Sequence, residues 1–164
     1  MGNITRLEGK RIHFVGIGGA GMSGIARIML SEGLTISGSD VRESAITQSL
    51  STLGARVFIG HDAKNVDGID LLITSGAIST DNPEVAEAIK NGAEIITRAQ
   101  ALAILMEGKR SIAVAGTHGK TTTTSMLTVA LQSAGLDPSF AIGGLINSSG
   151  VNAHLGSGRS ESVV

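Results

Sequence analysis

Apolar and polar positions along this chain follow two periods that take turns. Residues 12–15 form a short apolar run that ends in glycine, residues 22–30 repeat apolar side chains at helical spacing, and residues 34–37 return to a strand-like run. The same rhythm predicts a helix over 45–53, a strand over 56–59 and a strand over 69–73 whose run of Leu and Ile reads as buried on both faces. Asn82-Pro83-Glu84 then opens a helix, because Asn82 can cap it, Pro83 suits its first position and Glu84 favours the positive end of its dipole. Lys90 and Asn91-Gly92 end that helix. A strand over 94–96 and a helix over 99–106 complete a unit of alternating strands and helices, the pattern of an α/β, Rossmann-like parallel sheet.

Residues 107–110 are a polar break, after which 111–115 reads as a new strand leading into a glycine-rich loop. An apolar helix through Met126, Leu127, Ala130 and Leu131 follows, then a strand near 139–142, a Gly/Ser-rich stretch, and an entry into another strand at 162–164. The expected boundary therefore divides the chain into residues 1–106, a complete Rossmann-like domain, and residues 107–164, a truncated P-loop strand-helix unit of a second α/β domain. The second piece is too small for an independent nucleotide-binding domain. The chain reads as part of a longer protein.

Composition narrows the function classes. Net charge is −1 and charged residues make up 16% of the chain, against about 25% in a typical domain. With three Phe and no Trp or Tyr there is little to stack on bases, so neither charge nor aromatics suits a nucleic-acid partner. The absence of cysteine excludes a disulfide framework and a thiolate metal site. No apolar signal core stands at the N-terminus and no apolar run reaches membrane-spanning length, so the expectation is a cytoplasmic protein without membrane insertion.

Two loops carry the chemistry. Gly16-x-Gly18-x-x-Gly21 lies between a predicted strand and helix, where glycines permit a tight turn and the helix N-terminus offers unpaired N–H groups to a diphosphate. Asp40 ends the next strand, where a carboxylate reaches a ribose hydroxyl. NAD and UDP-sugars share the same central pyrophosphate, and the glycines alone do not separate them. The second loop, Gly116-Thr117-His118-Gly119-Lys120-Thr121-Thr122, has the strand-loop-helix layout of a P-loop, although Val114 stands where the strict pattern has Gly. Its backbone N–H groups from Gly116 to Thr121 can cradle ATP phosphates, Lys120 can reach the terminal phosphoryl groups and the Thr121 hydroxyl can coordinate Mg²⁺. Thr121 to Thr124 are consecutive β-branched residues opening a helix, which propensity does not explain and a need for hydroxyls near phosphate does. His118 either contacts a bound substrate group or satisfies loop carbonyls.

Gly-Ile-Gly-Gly-Ala-Gly-Met-Ser-Gly-Ile-Ala at 16–26, Gly-Ser-Asp at 38–40, Gly-His at 60–61 and Gly-Thr-His-Gly-Lys-Thr-Thr at 116–122 together resemble the Mur ligases, in order and over essentially the whole chain. The resemblance implies an ATP- and Mg²⁺-dependent ligase of peptidoglycan precursor synthesis. In that reaction the lactyl carboxylate of UDP-N-acetylmuramate is phosphorylated and the amine of L-alanine displaces phosphate to leave an amide. It further implies that Gly18, Gly19, Ala20, Gly21, Met22 and Ser23 face the UDP diphosphate and Asp40 the uridine part. His61 and Ser75, within 74–77, then line the same crevice, unless they are an ordinary loop histidine and a turn residue. Lys120 and His118 become the catalytic candidates, and Gly116, Thr117, Gly119, Thr121 and Thr122 the remaining ATP contacts. Arg98 matches a family position, as a ligand contact or as packing between domains, and His154 stands where the family usually carries Arg. The family's acidic metal-binding segment is expected directly after Val164, so residues 1–164 are expected to bind the UDP-sugar without ligating. The competing readings are an NAD-binding module of an oxidoreductase, which leaves Lys120 and the threonines without purpose, and a non-catalytic UDP-sugar-binding module.

Overall fold

The computed structural model describes residues 3–144, 146, 150–157 and 162–163. Five parallel strands make the first sheet: β1 (Arg11–Val15), β2 (Thr35–Asp40), β3 (Arg56–Ile59), β4 (Leu71–Thr74) and β5 (Glu94–Thr97), in the spatial order β3-β2-β1-β4-β5. Chain direction through the sheet reverses between β1 and β4, and a crevice at the carboxyl ends of those two strands is where such sheets bind ligands.

Alternation along the strands decides which helix covers which face. Ile12 and Phe14 of β1, with Leu71 and Ile73 of β4, pack against α1 (Ala20–Ser31), α2 (Ala45–Thr52) and α4 (Arg98–Met106). Val15 and Leu72 point the other way, against Val85 and Ala88 of α3 (Pro83–Lys90) and against Val66 in a short 3-10 helix. The caps are those the sequence offers: Asn82 Oδ1 accepts the Glu84 N–H at 2.9 Å with Pro83 at the first helical position, and Ser44 and Thr97 form reciprocal capping boxes on α2 and α4. Because Thr97 is the cap, α4 begins at Arg98.

The second sheet has the order β6-β9-β7-β8, with β6 at Ser111–Ile112, β7 at Ser139–Ala141, β8 at Ala153–His154 and β9 at Ser162–Val163. β7 and β8 are antiparallel, and the other pairs are parallel. Helix α5 (Lys120–Ser133) follows the second glycine-rich loop.

Two expectations are corrected. The strand expected over 111–115 stops at Ile112; Ser111 and Ile112 pair with Ser162 and Val163 and stay exposed. The strand expected over 69–73 begins at Leu71, since Asp70 is spent on closing the strand ends: its Oδ2 accepts the Arg11 N–H at 2.7 Å and its own N–H donates to the Arg11 carbonyl. At the chain end Ser162 and Val163 are a strand, and Val164 lies outside the described residues.

The two sheets meet on α1. Asn152 donates from Nδ2 to the Ala20 carbonyl at 2.8 Å and to Ser23 Oγ at 3.0 Å, both in the first turn of α1. Gly24 lets β8 come close, because a Cβ there would stand 3.3 Å from the Ala153 Cβ.

Candidate functional site

The first glycine loop is fixed by backbone before any ligand enters. Gly16 adopts φ 77°, a left-handed conformation that suits glycine, and the N–H groups of Gly16 and Ile17 both donate to the Ser39 carbonyl at 2.9 Å. Gly18 N–H donates to Asp40 Oδ2 at 2.8 Å, so Asp40 closes the loop with the carboxylate oxygen that the sequence offers to a ribose. Gly19 caps α1 without a side-chain hydrogen bond, and the first bond of the helix is from Ser23 N–H to the Gly19 carbonyl. The positive end of α1 therefore opens into the crevice with its early N–H groups available to an anion.

That crevice holds about 450 Å³ and is lined by Gly19 to Met22, Ser75 to Ala77, and Thr97 to Ala99. Ser75 lies in it and is also a turn residue, its carbonyl accepting the Ile78 N–H at 3.0 Å. The guanidinium of Arg98 lies against Gly21 in the space a larger residue would fill. Ser23 is a correction: only 2% exposed, it donates from Oγ to the Ala20 carbonyl and accepts from Asn152, so its hydroxyl serves the junction with β8 and does not face the crevice. Met22 is likewise buried by side chain and contributes backbone.

His61, expected to line this crevice, is not among its lining residues; it follows β3 and is held from beneath. Its Nδ1 lies 2.9 Å from Glu84 Oε2 and 3.0 Å from Ser39 Oγ. Ser39 Oγ–H donates to the same Glu84 oxygen at 2.5 Å, and Asn65 Nδ2 donates to Glu84 Oε1 at 2.6 Å. Burial pushes the Glu84 carboxyl up, but the rings of His13 and His61 and the donors from Ser39 and Asn65 outweigh it and hold the group down at about 2. The sequence reading treated Glu84 only as a helix-dipole residue and did not single out Asn65. No local pattern marks either one, because their partners come from separate elements.

The second loop presents Gly119 at φ 79° as the cap of α5, again without a side-chain hydrogen bond. Lys120 folds back, donating from Nζ to the Gly116 and Thr117 carbonyls. Gly116 to Thr122 are exposed, His118 among them. The four threonines divide: Thr121 and Thr124 line a cavity, Thr122 and Thr123 face outward, and the Thr124 carbonyl accepts from Thr128 Oγ1 at 2.8 Å. That cavity, about 260 Å³, is lined by Ala20, Gly21 and Arg98 on one side and by Lys120, Thr121 and Gly143 on another. Arg98 lines both spaces. His154 Nε2 is 2.8 Å from Asp137 Oδ1, and this hydrogen bond, with the Ser157 N–H, holds the Asp137 carboxyl below its usual range.

Residues 11–110 match the family model described as Mur ligase family, catalytic domain. The chain is 59% identical over 148 residues to a UDP-N-acetylmuramate--L-alanine ligase of Nocardioides sp., covering 90% of this chain and 33% of that one. Among solved structures it resembles the UDP-N-acetylmuramate-alanine ligase MurC of Thermotoga maritima (36% identity, TM-score 0.86, 94% of this chain and 36% of that one). It also resembles the UDP-N-acetylmuramate:L-alanyl-gamma-D-glutamyl-meso-diaminopimelate ligase of Neisseria meningitides (34% identity, TM-score 0.84, 94% and 51%). The chain thus spans about a third to a half of the length of these relatives. With its parallel sheet, its lysine-free loop on α1 and a match over most of its length, the chain belongs to the Mur ligase family.

Proposed function

We propose that this chain carries the UDP-sugar site and the phosphate loop of an ATP-dependent ligase that joins L-alanine to the lactyl carboxylate of UDP-N-acetylmuramate. The observation that carries the reading is the shared cavity: the start of α1, Arg98, Lys120 and Thr121 line one space, although the two loops lie far apart in sequence. A molecule whose diphosphate sits on α1 would extend its other end toward the lysine-bearing loop. We take the boundary between the two nucleotide-binding units at 106/107, where α4 ends.

The residues present fit ATP and fit Mg²⁺ in part. The uncapped start of α5 and the Gly116–Lys120 turn suit phosphate, and Lys120 would exchange its loop carbonyls for phosphate oxygens. Thr121 offers one hydroxyl to the metal, and among the described residues no carboxylate lines the cavity, so phosphate and water would complete the shell. When bound, ATP supplies the phosphoryl group that activates the substrate carboxylate. The chain's own part is to hold the diphosphate on the N–H groups of Ala20 to Met22, to orient it with His61, to meet the uridine part with Asp40 and the carboxylate with Arg98. Lys120 would offset the charge that moves between the two loops. His118, exposed on the loop, is assigned to a bound substrate group. Such a ligase acts in the cytoplasm, and no described helix is long and apolar enough to cross a membrane.

Calorimetry on the 164-residue chain with UDP-N-acetylmuramate, UDP and NAD tests the reading. Binding of both uridine ligands with no heat from NAD is expected. NAD binding without UDP binding would reverse the choice.

A further inference from the structure

Glu84 is fully buried at the start of α3, and so is His13, whose Nε2 stands 3.7 Å from Glu84 Oε1 without a hydrogen bond. Removing a carboxylate from water is unfavourable unless donors replace the water, and an apolar side chain of similar size would serve packing as well. Here the donors come from three different segments: Ser39 at the end of β2, His61 after β3, and Asn65 in the following turn. Two of these residues also hold neighbouring loops. The Ser39 carbonyl holds the N–H groups of Gly16 and Ile17, and Asn65 bridges Glu84 to the Gly60 carbonyl. Gly60 N–H in turn donates to the Asp40 carbonyl at 2.8 Å.

The protons in this cluster follow from donor arithmetic. A carboxylate only accepts. Ser39 gives its proton to Glu84, so the Ser39 oxygen is left to accept, and both neighbours of His61 Nδ1 require a donor there. His61 therefore carries its proton on Nδ1, and Nε2 is the nitrogen left for a ligand. The ring is 17% exposed although Nδ1 faces buried atoms. A histidine held in one tautomer by a carboxylate behind it is preset for whatever its other nitrogen meets.

We propose that Glu84 is a positioning residue for the nucleotide diphosphate: it acts through His61, fixing the ring and its tautomer so that Nε2 is the nitrogen offered to the ligand. The proposal rests on the reading of the first loop as a UDP-sugar site. It assigns Glu84 no contact with the ligand.

A double-mutant cycle read by UDP calorimetry, together with long-range ¹H–¹⁵N spectra of the histidine rings, tests it in the 164-residue chain. Glu84→Gln keeps the volume and replaces one acceptor oxygen by a donor. It is expected to weaken UDP binding roughly tenfold, the size of effect that follows loss of the partner orienting a ligating histidine. His61 is expected to show only the Nδ1–H form in the unaltered chain and a mixture in E84Q. In a His61→Ala background, adding E84Q is expected to change UDP affinity by less than about twofold, because the route through His61 is already gone. If E84Q does not fold, Glu84→Asp, which withdraws the carboxylate by one methylene, is expected to give the same loss and the same mixture. Unchanged UDP affinity in E84Q or E84D, an unchanged His61 tautomer, or losses that multiply in the double variant would overturn the proposal. If the unaltered chain binds no UDP, the reading of the first loop fails and the proposal falls with it. UDP binding that survives the Glu84 variants sinks the proposal alone.

Discussion

Gly38 offers a sharp test of how the first loop is supported. It lies buried in β2 opposite Phe14 of β1, in ordinary strand backbone. A Cβ at this position would stand 2.6 Å from Ile17 Cδ1, 2.8 Å from Ile17 Cβ and 2.9 Å from the Phe14 carbonyl oxygen. The Cδ1 can rotate away, but the other two atoms move only with backbone, and the backbone at Ile17 is bound to the Ser39 carbonyl. Overpacking of this kind costs about 1–3 kcal/mol, and two fixed neighbours argue for the upper half of that range. Loss of unfolded-state freedom returns about 0.4–1 kcal/mol, so Gly38→Ala should destabilise by roughly 2 kcal/mol. For a chain of this size that is roughly 4–8 °C in melting temperature, read by circular dichroism or calorimetry. UDP affinity should fall as well, because Ile17 sits within the glycine loop. Gly76→Ala is the control, since nothing lies within 4 Å of a Cβ there and its φ is ordinary, and its melting temperature should stay level or rise slightly. A Gly38→Ala chain that melts with the unaltered protein would refute the steric account.

Three further outcomes follow from the same geometry. Glu84 has a folded pKa of about 2, below the ordinary 4.5, so its contribution is fully present above pH 4.5 and is lost as pH falls toward 2. The shift corresponds to stability on the order of 3 kcal/mol, and denaturant melts of Glu84→Gln should lose the part of the acid slope that lies in this window. Asn152→Ala removes two hydrogen bonds to the first turn of α1 and should cost about 1–3 kcal/mol, with faster amide hydrogen exchange in β8 and at the start of α1. Arg98→Ala should weaken UDP-N-acetylmuramate roughly tenfold in calorimetry and leave UDP nearly unchanged, because the guanidinium is assigned to the carboxylate of the acidic sugar.

Much of this was legible from local pattern. The apolar run from Ile12 to Val15 and the cap, proline and dipole signals around Asn82-Pro83-Glu84 each act within a few residues, and each produced the element it predicts. What stayed hidden depends on contacts between distant segments. Glu84 reads as an ordinary first-turn carboxylate until Ser39, His61 and Asn65 are folded onto it. Ser23 belongs by position to a phosphate loop, yet the approach of Asn152 from far along the chain decides where its hydroxyl goes. Apolar sequence at 111–115 favours a strand, but Ser111 and Ile112 lie exposed and the strand ends there.

The placement of α1 explains how two loops of different chemistry come to border one cavity. Its N-terminus faces the crevice through Gly19 to Met22, and the same first turn carries β8 through Asn152, with Gly24 beside it. Both contacts fall on the start of one helix, so the second sheet takes its position from the helix end that is proposed to hold the diphosphate. Arg98 and Lys120 then bring two cations to a cavity that no described acidic side chain lines, next to helix starts with partial positive charge of their own. Like charges gathered this way repel one another, at a cost that only an anion can offset. The proposed substrate, with a diphosphate at one end and a carboxylate at the other, would bring its charges, beside a nucleotide's terminal phosphate, to the places where the protein keeps its cations.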